Sequence, residues 1–110
     1  MDVYNTLGMG FSEIVYKDAI EIEFKRLGIP YTREKEFEVY FKDIPLNRNY
    51  YVDFFVFDKI NLEVKSLMSL TEAHVLQVKN YCACSKTQLG LLVNFGAPSL
   101  EYKRVLFNRC

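Results

Sequence analysis

Hydrophobic and polar positions recur along this chain with two different periods, and the changes of period mark out its elements. From Ser12 to Leu27 the residues Tyr16, Ile20, Phe24 and Leu27 return every three or four positions, the spacing of one helix face. Ser12 is placed to act as N-cap, and Gly28 followed by Pro30 supplies the stop. Glu36 to Phe41 alternates charged and aromatic residues, as a half-buried strand does. Asp43-Ile44-Pro45-Leu46-Asn47 carries turn chemistry. After it, YYVDFFVF (50–57) and INLEVKS (60–66) are β-branched and aromatic enough for two further strands, giving a meander of three.

Thr71 to about Lys86 predicts a second long helix, capped by Ser69 or Thr71. LGLLVNF, from Leu89 on, is the continuous apolar run of a strand buried on both faces, and a crossover helix returns such a strand parallel. Tyr102 to Phe107 predicts an edge strand, since Lys103 and Arg104 sit inside it. The order α-β-β-β-α-β-β describes an α/β fold, a mixed sheet flanked by helices. Val3, Tyr4 and Leu7 also have helical spacing, but barely a turn precedes Gly8, so the N-terminal helix is expected to be truncated. Gly8 and Gly10 read as a bend before the helix, being too sparse for a phosphate-cradling loop.

Three charges stand against this pattern: Asp53 in one apolar strand, Glu63 and Lys65 in the next. A charge in such a strand is costly unless something compensates it. A loop of odd length at Phe57-Asp58-Lys59 sets Asp53 opposite Glu63. Val52, Phe54 and Val56 then share one face with Ile60, Leu62 and Val64, while Asp53, Glu63 and Lys65 gather on the other beside Phe55 and Asn61. Two neighbouring carboxylates repel unless a proton or a cation lies between them, and a divalent metal is the simplest cation. The alternative is a salt-bridged surface cluster in which Lys65 neutralises Glu63.

Composition narrows the function classes. A length of 110 residues predicts one domain spanning 1–110, large enough to bury a core without disulfides or zinc. With 14 basic and 14 acidic residues there is no global field drawing the chain to nucleic acid, so such affinity must come from a local patch. Lys17, Arg33, Lys35, Arg48, Lys79 and Arg104 are candidates for a basic rim. Cys82 and Cys84 fall on different faces of the second helix, and with a single histidine a structural zinc site is disfavoured. No signal peptide and no apolar run long enough for a bilayer point to the cytoplasm and away from membranes.

A helix bearing a glutamate, a strand Asp, a Glu-x-Lys on the next strand and then a helix with polar residues resembles the PD-(D/E)XK nuclease superfamily. More narrowly, Gly10-Phe11-Ser12-Glu13-Ile14-Val15-Tyr16 is similar to the signature of the GxxExxY proteins, a branch of that superfamily. The likeness continues through Asp53, Glu63-Val64-Lys65, His74 to Tyr81 and Leu92-Val93-Asn94-Phe95-Gly96. Val52 stands where the superfamily name has proline. The resemblance implies a restriction-endonuclease-like fold in which Asp53, Glu63 and the Val64 carbonyl hold Mg²⁺ or Mn²⁺ with water. Such an ion polarises a phosphate oxygen and activates water, and Lys65 holds that water or stabilises charge on the phosphorus-bound oxygens.

Glu13 shares the stripe of Tyr16 and Ile20, so its carboxylate is expected to point inward as a further metal or water ligand; the competing reading is a contact with the helix N-terminus. His74, Gln77 and Tyr81 share one face of the second helix, where Gln77 is the strongest candidate for a pocket or phosphate contact and His74 more naturally a hydrogen-bonding residue. Three functions follow as expectations: a metal-dependent phosphodiesterase acting on DNA or RNA, a catalytically inactive binding or assembly module on the same scaffold, and a hydrolase of a small phosphorylated metabolite. A chain this small is expected to act as a homodimer or within a larger complex.

Overall fold

Gly28 decides where the chain passes from helix to sheet. It ends α2 (Glu13–Leu27) in the left-handed conformation at φ 67°, and its N–H reaches Lys25 O while that of Ile29 reaches Phe24 O. The computed structural model describes residues 2–106. Before α2 lies α1 (Asp2–Leu7); after it come β1 (Tyr31–Phe41), β2 (Ile44–Val56), β3 (Ile60–Lys65), α3 (Glu72–Ser85), β4 (Leu89–Asn94) and β5 (Glu101–Leu106). One sheet holds the strands in the order β1-β2-β3-β4-β5. The first three form an antiparallel meander, α3 carries the chain to a parallel β4, and β5 returns antiparallel at the edge. This is the mixed sheet flanked by helices that the sequence predicts; Phe107, expected to end the last strand, lies outside the described residues.

Three local expectations are corrected. β1 starts at Tyr31 rather than Glu36, because its half-buried residues alternate from Tyr31 onward. Asp43–Asn47 is not a loop: Lys42 and Asp43, both at positive φ, make the hairpin turn, and β2 resumes at Ile44. Pro45 is tolerated there because, among the described residues, β1 is the only strand paired with that part of β2. Leu27 is exposed rather than on the buried stripe, since the left-handed turn at Gly28 leads the chain away beneath it.

The two faces of the sheet carry separate cores. Tyr16 and Ile20 of α2 meet Phe54, Val56, Leu62, Val64, Val93 and Phe95 on one side, while Val78 and Cys82 of α3 cover Leu92 and Val105 on the other. Gly90 allows α3 to sit directly on β4, since a Cβ there would lie 2.3 Å from Val78 Cγ1. Buried Asn61 donates to Ser85 Oγ and Thr87 Oγ1, tying the end of α3 to β3.

Gly96 and Asn94 fix the loop that leaves β3. Asn94 accepts the N–H groups of Leu67 and Gly96 and donates to Leu67 O and Glu101 Oε1, so all of its side chain is engaged. A Cβ on Gly96 would lie 2.3 Å from Leu67 N and 2.4 Å from Leu67 O, both rigid backbone atoms. Gly96→Ala should therefore lower unfolding free energy in urea titration by roughly 1–3 kcal/mol, the usual cost of forced overpacking.

Candidate active site

The site forms where β2 parts from β3. These strands pair only from Phe54–Leu62 to Val56–Ile60, whereas β2 and β1 stay paired as far as Phe41–Ile44. Asp53 is the first residue past the β2–β3 ladder, and side chains take over its bonding. Asp53 N–H donates to Glu63 Oε1 at 3.2 Å, and Val64 N–H donates to Asp53 Oδ2 at 2.8 Å. Asp53 and Glu63 thus face each other, as strand alternation across the three-residue turn Phe57–Lys59 requires. Glu63 is only 4% exposed, so the pair is not a solvated surface cluster.

Lys17 supplies the nearest cation. Its Nζ lies 3.0 Å from Asp53 Oδ1 and also pairs with Glu34, with the side chain 10% exposed. This corrects its expected place in a basic rim: one turn into α2, the stem runs inward over the sheet rather than out to solvent. Glu34 reaches the ammonium from a left-handed backbone at φ 54° in the middle of β1. The β1–β2 register passes from Arg33–Phe54 to Lys35–Val52 and skips the Glu34–Asp53 pair between them. Such a conformation costs a non-glycine residue about 1–2 kcal/mol, and it falls opposite the aspartate. Arg33 is also withdrawn from the rim, bound to Asp18 at 2.8 Å and Glu21 at 3.0 Å.

Electrostatics follow from this packing. Burial, and then the adjacent Asp53 charge, push the Glu63 carboxyl up to about 8, so it holds its proton at neutral pH. Burial works against the charge on Lys17, but the Glu34 and Asp53 carboxylates outweigh it and hold the ammonium above its ordinary value. Lys65, half-buried at the end of β3, makes no salt bridge among the described residues, yet its charge acts on Glu63 in opposition to burial. Its backbone is held by Phe95 N–H donating to Lys65 O at 2.8 Å.

The other expected residues divide. Gln77 Nε2 donates to Tyr81 Oη at 3.1 Å, and the Tyr81 phenol is pushed up by burial and then by the charges of Glu63 and Asp53. His74 instead caps its own helix, Nδ1 accepting from Thr71 N–H at 2.9 Å. Glu13 is exposed, which corrects the inward orientation expected of it; Lys17, one turn further along α2, takes the inward place. Tyr16 is fully buried, stacks on Phe95 at 4.4 Å, and donates to Gly8 O at 2.6 Å while accepting from Phe11 N–H. Gly8 and Gly10, at φ 70° and 108°, form the bend expected before the helix. Lys17 pairs with the acids although its place in the sequence suggested the rim, and its i+4 spacing from Glu13 was the available signal.

The donor set fits a divalent cation. Two carboxyl groups with hard oxygen donors face one another, and burial together with the Asp53 charge disfavours a second negative charge on Glu63, which a cation would relieve. Among the described residues no third acid, histidine or cysteine joins them, so the remaining ligands would be backbone, water or substrate, as Mg²⁺ prefers.

A mixed sheet flanked by helices, with paired acids where its central strands separate and a lysine two residues on, defines a restriction-endonuclease-like α/β protein. The chain belongs to the PD-(D/E)XK nuclease superfamily, whose family model matches residues 1–105. Members of that superfamily generally depend on a divalent metal. The fold is similar to that of a solved structure named "Crystal structure of SSO0001", with a TM-score of 0.66 and 15% identity over 90% of this chain and 52% of that one. The chain therefore spans about half the length of that protein, and the likeness is one of fold. No curated protein matches it.

Glu63 makes stability depend on pH. Its carboxyl is raised in the folded chain from 4.5 to about 8, so the folded state keeps a proton that the unfolded state loses first. This contribution is complete below the ordinary glutamate range and is lost as pH climbs through about 8. Melting temperature in metal-free buffer should fall between pH 5 and pH 8, and Glu63→Gln should flatten that decline in calorimetric scans.

Proposed function

We propose that the chain is a metal-dependent phosphodiesterase of the GxxExxY branch, hydrolysing DNA or RNA by attack of water on a backbone phosphate. The observation that carries this reading is the face-to-face Asp53–Glu63 pair at the parting of β2 and β3, with Lys65 two residues further along the same strand. Asp53, Glu63 and the Val64 carbonyl would hold Mg²⁺ or Mn²⁺, which supplies charge neutralisation and polarises a phosphate oxygen. Lys65, without a salt bridge among the described residues, orients the attacking water and stabilises negative charge on the phosphate oxygens. Gln77 and Tyr81 line the α3 side of the site and contact the substrate backbone. The chain acts as one domain in the cytoplasm, as a homodimer or within a larger complex, because a specific DNA interface needs about 1,000 Å² of protein surface.

One observation favours a second reading, an inactive binding or assembly module. Lys17 already pairs with Asp53, so the acids have a cation without a metal. Calorimetric titration separates the two: Mg²⁺ or Mn²⁺ binding that disappears in Asp53→Ala and Glu63→Ala supports the enzyme, and no such binding supports the module.

The enzymatic reading is tested by incubating the protein with single- and double-stranded DNA and RNA in Mg²⁺ or Mn²⁺. Asp53→Ala should abolish cleavage, and Lys65→Ala should lower it by roughly a hundredfold or more, both with unchanged circular dichroism. Cleavage that survives both substitutions overturns the assignment. A closed small-metabolite pocket would instead give hydrolysis of phosphomonoesters without cleavage of polymers.

A further inference from the structure

The Asp53 carboxylate has both oxygens engaged before any metal arrives. Oδ2 accepts the Val64 N–H at 2.8 Å, and Oδ1 faces the Lys17 ammonium at 3.0 Å. Lys17 is a compact, strongly charged head on a flexible stem, and here the stem is enclosed. A divalent ion drawn to Asp53 and Glu63 must come close to this positive charge, and like charges repel strongly where solvent screening is poor. Glu34 gives the ammonium somewhere to go. Its carboxylate already pairs with Lys17, is half-exposed, and is presented from the one left-handed residue within the body of β1.

We propose that Lys17 is the built-in counter-ion of the acidic pair, a positioning residue that holds Asp53 in place without metal, shifts toward Glu34 when a divalent cation binds, and thereby weakens metal affinity. Its consequence is that the folded chain does not require metal. The cation exchange part rests on the reading that Asp53 and Glu63 hold a divalent ion; the counter-ion part does not.

The test uses the full chain, melted in EDTA and in MnCl₂, with Lys17→Met, Lys17→Gln and Lys17→Arg beside the wild type. Wild type and Lys17→Arg should melt within a few degrees of each other in EDTA and gain little from Mn²⁺. Lys17→Met and Lys17→Gln should melt lower in EDTA and recover most of the difference in Mn²⁺. Adding Asp53→Asn to Lys17→Met should remove the recovery, because the charge needing neutralisation is gone. By calorimetry, Lys17→Met should bind Mn²⁺ about tenfold more tightly than wild type, or better.

A loss of stability in Lys17→Met that Mn²⁺ does not return, or no loss at all, overturns the counter-ion role and leaves the lysine as ordinary packing. The two readings fail separately. Wild type that binds no Mn²⁺, with Lys17→Met rescued by it, keeps the counter-ion and rejects the phosphodiesterase. Equal Mn²⁺ affinity in wild type and Lys17→Met, with a metal-independent loss, does the reverse.

Discussion

Two carboxyl groups lie face to face, both largely shielded from solvent, and the surrounding structure is organised to make that tolerable. Unit charges about 4 Å apart interact by roughly 4 kcal/mol even at an effective dielectric of 20, a large share of the 5–15 kcal/mol by which a domain of this kind is stable. The chain answers with several partial compensations. Glu63 keeps its proton, Lys17 brings an ammonium to Asp53, and the N–H groups of Asp53 and Val64 each donate to a carboxyl oxygen. Even the irregular backbone of Glu34 belongs to this set, since it places a second acid on Lys17 at the position where the β1 ladder skips Asp53.

Holding the acids in register also requires that the far end of β3 not fray. That end is clasped by segments distant in sequence. Ser66 Oγ donates to Phe11 O, the Phe11 loop is pinned by Tyr16, and Asn94 binds the Leu67 backbone from both sides. The glycine bend and Tyr16 near the N-terminus therefore work as a clamp on the strand that carries Glu63 and Lys65. On the other face, Tyr50 stacks between Phe37 and Tyr81, so the outer part of the β1–β2 hairpin is tied to α3. Both arrangements fix the backbone around the acids through contacts distant in sequence.

Separation of β2 from β3 links the fold to the chemistry. A continuous ladder would spend the Asp53 N–H on a strand partner and shut the acids between two backbones. Ending the ladder at Phe54–Leu62 frees that donor for Glu63. Beyond this point β1 is the one strand paired with β2 among the described residues, so the exposed aromatic and aliphatic residues of the hairpin, Tyr40, Phe41 and Ile44 among them, have no third strand beside them.

How much could be read without coordinates depended on the range of the physics involved. Element order, the buried β4 strand and the Asp53–Glu63 encounter are consequences of local periodicity, because a strand alternates strictly and an odd loop length fixes which residues meet. The helix-capping role of His74 is similarly local, being set by its spacing from Thr71. Glu13 and Lys17 were a different problem. They occupy neighbouring turns of one helix flank, and only the packing of α2 in the folded chain buried the lysine, not the glutamate, beside Asp53. Glu34 was equally hidden, since nothing in a strand-like run announces a left-handed residue. The sequence by itself thus determined the acids and their register, whereas tertiary structure alone decided which cation answers them, because that choice depends on the approach of three elements that no short-range pattern connects.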